Sequence, residues 1–226
     1  MIGKRLRFVG ALGIGAVGLY VGAAILGEIL DPQYSQIRNA ISELTGSLAP
    51  NRAVLAPIYI AYNLTLVGFA YAIFSATKGG TLFKVAVALF AIGGLSGIGQ
   101  VTLFRMDSVG SATTAAGSMH IVLASVSSLL TVATAILYGF AFRREPAFRG
   151  LSKYSFATAV LLFVSAPAAV ASIGTDVMGL FERITIGAFM LWVVVVSAHS
   201  LIEAGKIESL TPSLLMPAGR VGGQSR

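Results

Sequence analysis

Apolar positions in this chain come in long runs rather than at the spacing of a soluble core. Six stretches carry no charged residue: 8–27, 53–77, 85–104, 108–142, 154–175 and 184–202. Each reaches the roughly 18 residues that mark a membrane-spanning helix. The fourth run exceeds one crossing and opens with the polar string SVGSATTAAGS, so its helix is expected to start near Ala116. The pattern predicts an all-α, polytopic integral membrane bundle of six transmembrane helices. Residues 1–203 form one domain in this reading, and 204–226, with Pro212, Pro217 and several glycines and serines, a flexible cytoplasmic tail. The longest polar interruption is 28–52. Asp31-Pro32 ends the first run, because proline disfavours helical geometry in the residue before it. Ile37, Ile41 and Leu44 then recur at helical spacing. That predicts an amphipathic surface helix in the first outer loop, either a connector lying flat on the bilayer or a lid over the bundle mouth.

Composition excludes a water-soluble domain. Charged residues make up 11% and hydrophobic residues 56%, and mean hydropathy is +0.84, against about 25% charged residues in soluble proteins. Lys4, Arg5 and Arg7 precede an apolar run too long for a signal peptide, so the first helix is expected to be retained. With six crossings both termini share one face. Twelve of the 16 Lys and Arg residues fall on it and four on the other. The bias predicts a multi-pass protein of the cell membrane with both termini cytoplasmic. The net charge of +7 is absorbed by this asymmetry and by attraction to anionic lipid, so no nucleic-acid partner is needed. The chain has no cysteine, which removes disulfides and thiolate metal sites.

Polar residues within the spans are the candidates for chemistry. Gly13 to Gly18 spells GxGxxG, but no strand precedes it, so a dinucleotide site is not supported. Gly18 and Gly22, and Gly93 and Gly97, instead predict small faces for close helix packing. Asn63 lies near mid-membrane and is expected to hydrogen-bond a neighbouring helix or a ligand. The small residues around Pro167 predict either close packing or a cavity, with a kink at the proline. His199 and Glu203 read as interfacial anchors.

Threading the spans gathers Glu28, Asp31, Arg38, Glu43, Asn51, Arg52, Gln100, Arg105, Asp107, His120, Asp176, Glu182 and Arg183 at the outer membrane level. Ionisable residues there are costly unless paired or solvated. Three readings follow. His120 is a general acid or base supported by Glu43 or Asp107, with Arg183 or Arg105 holding an anion such as a lipid phosphate. Alternatively His120 and carboxylates bind a divalent metal. Or the charges satisfy one another and lock the helix ends.

The ordered set Asp31-Pro-x-Tyr34, Ile41-Ser-Glu-Leu44, Asn51, Phe104-x-x-Asp107, His120 and Gly179-Leu-x-Glu-Arg183 resembles a family of prokaryotic six-helix membrane proteins, domain of unknown function nine-nine-eight. The resemblance spans about residues 8–200 and implies a six-helix fold. It points to Ser42, Glu43, Asp107, His120, Glu182 and Arg183, and supplies no established activity, leaving the cofactor unknown. Arg105 stands where the family tends to have proline. Two functions stay open. One is an enzyme acting on a lipid or lipid-linked head group, with His120, Glu43 and Asp107 catalytic and Arg183, Glu182, Ser42, Arg105 and Asn63 binding. The other is a non-enzymatic protein that binds lipid, solute or a partner, its polar cluster a gate or structural lock. In both, membrane lipids are partners and a lipid or small molecule occupies an outward-facing cavity. The near absence of ionisable groups at the midplane counts against ion-coupled transport.

Overall fold

A computed structural model describes residues 2–108 and 111–215, with side chains to residue 210. Six helices carry the fold: α1 (Ile2–Leu30), α2 (Arg52–Ser75), α3 (Thr81–Thr102), α4 (Ala115–Phe142), α5 (Ser152–Ala171) and α6 (Met178–Leu215). All six are long and apolar enough to cross a membrane. Helix is the form an apolar run must take in lipid, because it pairs every backbone N–H and C=O within one segment. The outside is correspondingly apolar, with Phe8, Ile14, Leu95, Phe163 and Val164 exposed. The chain is built as a multi-pass membrane protein.

Each helix packs against its neighbours in sequence, and α6 returns to α1, so the six close into a ring. One end of the ring is filled by aromatic side chains. Trp192 of α6 meets Phe69 of α2 edge-on at 6.3 Å between centroids and leans on Tyr138 of α4 at 5.4 Å. Phe142 stacks on Phe148 at 5.0 Å, and Phe90 leans on Phe189 at 5.8 Å. The other end, bearing the α1–α2, α3–α4 and α5–α6 connections, is not plugged this way. We call it the loop face, and the end carrying the N-terminus the terminal face.

The packing stripe of α1 differs from the glycine pairs expected. Gly3, Leu6, Gly10, Gly13, Ala16, Tyr20, Ala23 and Gly27 are buried at three- and four-residue spacing. A Cβ at Gly13 would strike Ser197 and Phe69, and one at Gly10 would strike Leu201. Gly18 and Gly22 face open space, as does Gly93, whereas Gly97 lies against Asn63. The GxGxxG string is therefore a stretch of continuous helix whose first glycine admits α6. Asn63 likewise donates to the Tyr59 carbonyl of its own helix at 2.8 Å rather than to a neighbour.

The first connection holds no amphipathic α-helix. Residues Ile41–Thr45 form a single 3-10 turn, with Ile41 and Leu44 buried while Ile37 is exposed. The two apolar side chains pack down into the ring instead of lying on its rim. Helix α5 runs unbroken through Pro167. Helix α6 continues past Ala204, and Arg7 of α1 pairs with Glu208 on that extension. The rest of the expected tail, 216–226, lies outside the described residues. His199 bonds the Ala147 carbonyl at 2.7 Å, and Glu203 pairs with Lys206 at 2.7 Å.

Candidate functional site

On the loop face, the start of α6 fastens the first connection. Arg183 donates through Nη1 to the carbonyls of Gln36 (2.6 Å) and Asn39 (3.0 Å), and to Gly179 of its own helix (3.0 Å). Its Nη2 donates to the Tyr34 hydroxyl at 2.6 Å, and the guanidinium lies 5.5 Å from that ring's centroid. The planar fork suits several fixed acceptors at once. Glu182 accepts the Ile41 amide at 2.6 Å, and the Leu180 amide donates to the Ile37 carbonyl at 3.0 Å. Gly179 is required by close approach, since a Cβ there would collide with the Gln36 and Asn39 carbonyl oxygens.

The loop end of this latch is prepared locally. Glu43 accepts the Ala40 amide at 2.7 Å and the Asn39 side-chain amide at 2.9 Å, so it caps its own turn. Asp31 accepts the Gln33 amide at 3.1 Å, and Tyr34 donates to the Ala40 carbonyl at 3.0 Å. Burial pushes the Tyr34 phenol from 10.0 up to about 12, with the neighbouring Arg183 charge pulling the other way.

The second connection is closed by different residues. Asp107 accepts the Thr114 amide at 2.7 Å and its hydroxyl at 2.8 Å, and Thr114 in turn caps α4 by accepting the Gly117 amide at 3.0 Å. Buried His120 bonds the Phe104 carbonyl through Nδ1 at 2.8 Å. A carbonyl can only accept, so Nδ1 carries the proton of this contact. Arg105 donates to the Thr102 carbonyl at 3.2 Å. The two connections meet at Met106, whose carbonyl accepts the Ser47 amide at 2.9 Å and whose sulfur lies 2.9 Å from the Ser42 hydroxyl.

Beneath this roof lies a cleft of about 710 Å³. Its upper lining includes Ser42, His120, Glu182, Gln100, Tyr20 and Tyr59, and its lower lining is apolar, with Leu66, Phe90, Leu162 and Phe189. Leu129, Phe163 and Val170 line it and are also exposed, so it opens sideways, toward the bilayer. The small residues of α5, Ala166, Pro167 and Ala169, make room for it. A smaller hollow of about 270 Å³ lies on the loop face itself and takes in Glu43, Asp107, Asp31 and Asn51.

The geometry therefore divides the residues singled out from sequence. His120, Glu182, Ser42 and Asn63 line the cleft, whereas Glu43 and Asp107 line the outer hollow. Arg183 and Arg105 donate to backbone carbonyls. The bond that orients His120 comes from a carbonyl and not from a carboxylate. Among the described residues, no three His, Asp or Glu side chains converge as a metal site would need. Tyr34, Gly179, Tyr20 and Tyr59 were missed as site residues. For Tyr20 and Tyr59 a tyrosine inside a span was the available signal, because its hydroxyl needs a partner in lipid, whereas Tyr34 and Gly179 stood in the ordered motif set without being singled out.

Residues 14–199 match the family described as a protein of unknown function, DUF998. The chain belongs to the DUF998 family. No curated protein and no solved structure matches it. In this DUF998 chain, the string Gly179-Leu-Phe-Glu-Arg183 has a physical use at four of its positions: close approach at Gly179, a backbone donor at Leu180, an acceptor at Glu182 and a fork of donors at Arg183.

Proposed function

We propose that this DUF998 protein is a non-enzymatic binding protein that holds the apolar tail of a membrane amphiphile in the cleft, under a loop locked by its polar cluster. The observation that carries the reading is the lateral opening at Leu129, Phe163 and Val170 beneath the latched first loop. A tail can enter from the bilayer, while a solute arriving from water meets the latched loop. A cleft of this volume lined mostly by apolar side chains suits a lipid-sized ligand. The charges that an enzyme would turn toward a head group are engaged by backbone groups of the loops. In this reading the loop face is extracytoplasmic, as the Lys and Arg asymmetry supports, and the ligand comes from the outer leaflet.

The chain has one tryptophan, Trp192, stacked at 6.3 Å on the cleft-lining Phe189. Titrating detergent-solubilised protein with a lipid brominated on its tail is expected to quench Trp192 saturably. Gly93 lines the cleft and a Cβ there meets open space, so Gly93→Phe is expected to fill the cleft, keep the fold and remove the saturable quench. Quenching that is unsaturable, or that Gly93→Phe leaves unchanged, refutes the reading.

A further inference from the structure

Three residues lining the cleft carry hydroxyls without a protein partner. Tyr20 of α1 and Tyr59 of α2 both line it, and both are more than nine-tenths buried. Neither oxygen makes a hydrogen bond, and the same holds deeper in the cleft for Thr134. Tyr138, Ser165 and Arg52 also have buried unpartnered atoms, so the count alone decides nothing. What distinguishes Tyr20 and Tyr59 is that both line the cleft, which Tyr138, Ser165 and Arg52 do not, and that their rings pack edge-to-face at 5.5 Å, within electrostatic reach of both Glu182 and Arg183. A buried phenol without an acceptor costs free energy that a ligand oxygen would recover.

The chemistry of the surrounding groups selects the ligand. Among the described residues lining the cleft there is no Lys or Arg, and Glu182 is present. A phosphate or carboxylate head would therefore find no free cation to pair with, because the nearby Arg183 gives its donors to the Gln36, Asn39 and Gly179 carbonyls and the Tyr34 hydroxyl. An ammonium head brings only donors, whereas the two phenol protons need an acceptor. An uncharged oxygen on a long apolar tail meets both conditions. We propose that Tyr20 and Tyr59 recognise the hydroxyl or carbonyl oxygen of a neutral lipid whose tail occupies the cleft. This rests on the tail-binding reading above.

The test uses four probes sharing one brominated alkyl chain: the alcohol, the methyl ester, the phosphate monoester and the trimethylammonium. Trp192 quenching is expected to show the alcohol or the ester binding more tightly than either charged probe. The tighter of the two assigns the oxygen as hydroxyl or carbonyl. Tyr20→Phe with Tyr59→Phe keeps both rings, and is expected to weaken the neutral probe by about tenfold or more. Without ligand, the same double variant is expected to melt no lower than the wild type, because no bond is lost. Tighter binding of a charged probe, neutral binding indifferent to the double variant, or a lowered melting temperature overturns the assignment. Where saturable quenching still depends on Gly93, such a result sinks only the head-group recognition. If no probe quenches saturably, both readings fall.

Discussion

Replacing Arg183 with alanine should open the first loop without unfolding the bundle. Three hydrogen bonds cross from its guanidinium to the loop, to Gln36, Asn39 and Tyr34. Hydrogen bonds from a charged donor contribute about 1.5–3 kcal/mol each, but this side chain is only half-buried, so about 1 kcal/mol apiece is the safer figure. The loss is then about 3 kcal/mol, a roughly hundredfold rise in the population of the open loop. The helices keep their own packing, so the cost is local. Hydrogen exchange in detergent reads it directly, through the Ile41 amide held by Glu182 and the Glu43 amide bonded within the turn. Both should exchange about a hundredfold faster, with amides in the middle of α2 and α6 unchanged. Arg183→Lys should fall between, since an ammonium cannot present the planar fork. If the loop amides speed up by less than about threefold, burial of Ile41 and Leu44 holds the loop and the latch argument is wrong. Equal acceleration in the mid-helix amides would also defeat it, by showing that the damage is global.

Other perturbations test the same structure from different sides. Gly179→Ala should loosen the same loop amides, because its Cβ must displace the Gln36 and Asn39 carbonyls; unchanged exchange would mean that the close approach is unnecessary. Gly13→Ala should lower the melting temperature, since its Cβ meets Ser197 and Phe69, while Gly18→Ala, facing open space, should be neutral or raise it slightly; similar effects at both sites would refute the assigned face of α1. The Tyr34 phenol ionises at about 12 instead of 10.0. A raised folded pKa means that its stabilising effect is complete below pH 10 and is lost as pH climbs from 10 to about 12. Phenolate absorbance titrations of wild type and Tyr34→Phe should differ by one group ionising near 12, and a difference near 10 would contradict its burial.

The spans were legible because an apolar run of sufficient length has few other uses. Their mutual packing was not. In lipid the outward face is as apolar as the inward one, so periodicity no longer reveals which side meets protein. Gly18 and Gly22 fit a packing motif by letter, yet the buried stripe passes through Gly13 and Gly27. The sequence also singled out Glu43, Asp107, His120, Glu182 and Arg183, which the structure divides between the cleft, the outer hollow and the loop latch. It could not show that their partners are backbone amides and carbonyls, because main-chain groups carry no letter. The 3-10 turn at Ile41–Thr45 was misread as a surface helix for a related reason. Apolar residues at helical spacing on a membrane rim look alike whether they face lipid or the bundle. The small residues near Pro167 left packing and a cavity as alternatives, and they line the cleft.

The closure of α6 onto α1 bears on how the protein is made. Of these six helices, the one made first has as one of its two neighbours the one made last. Until α6 arrives, the notch at Gly10 and Gly13 lacks the Leu201 and Ser197 side chains that come to occupy it. Synthesis of the ring therefore proceeds around an unsealed seam until α6 reaches α1, where Arg7 and Glu208 pair across it.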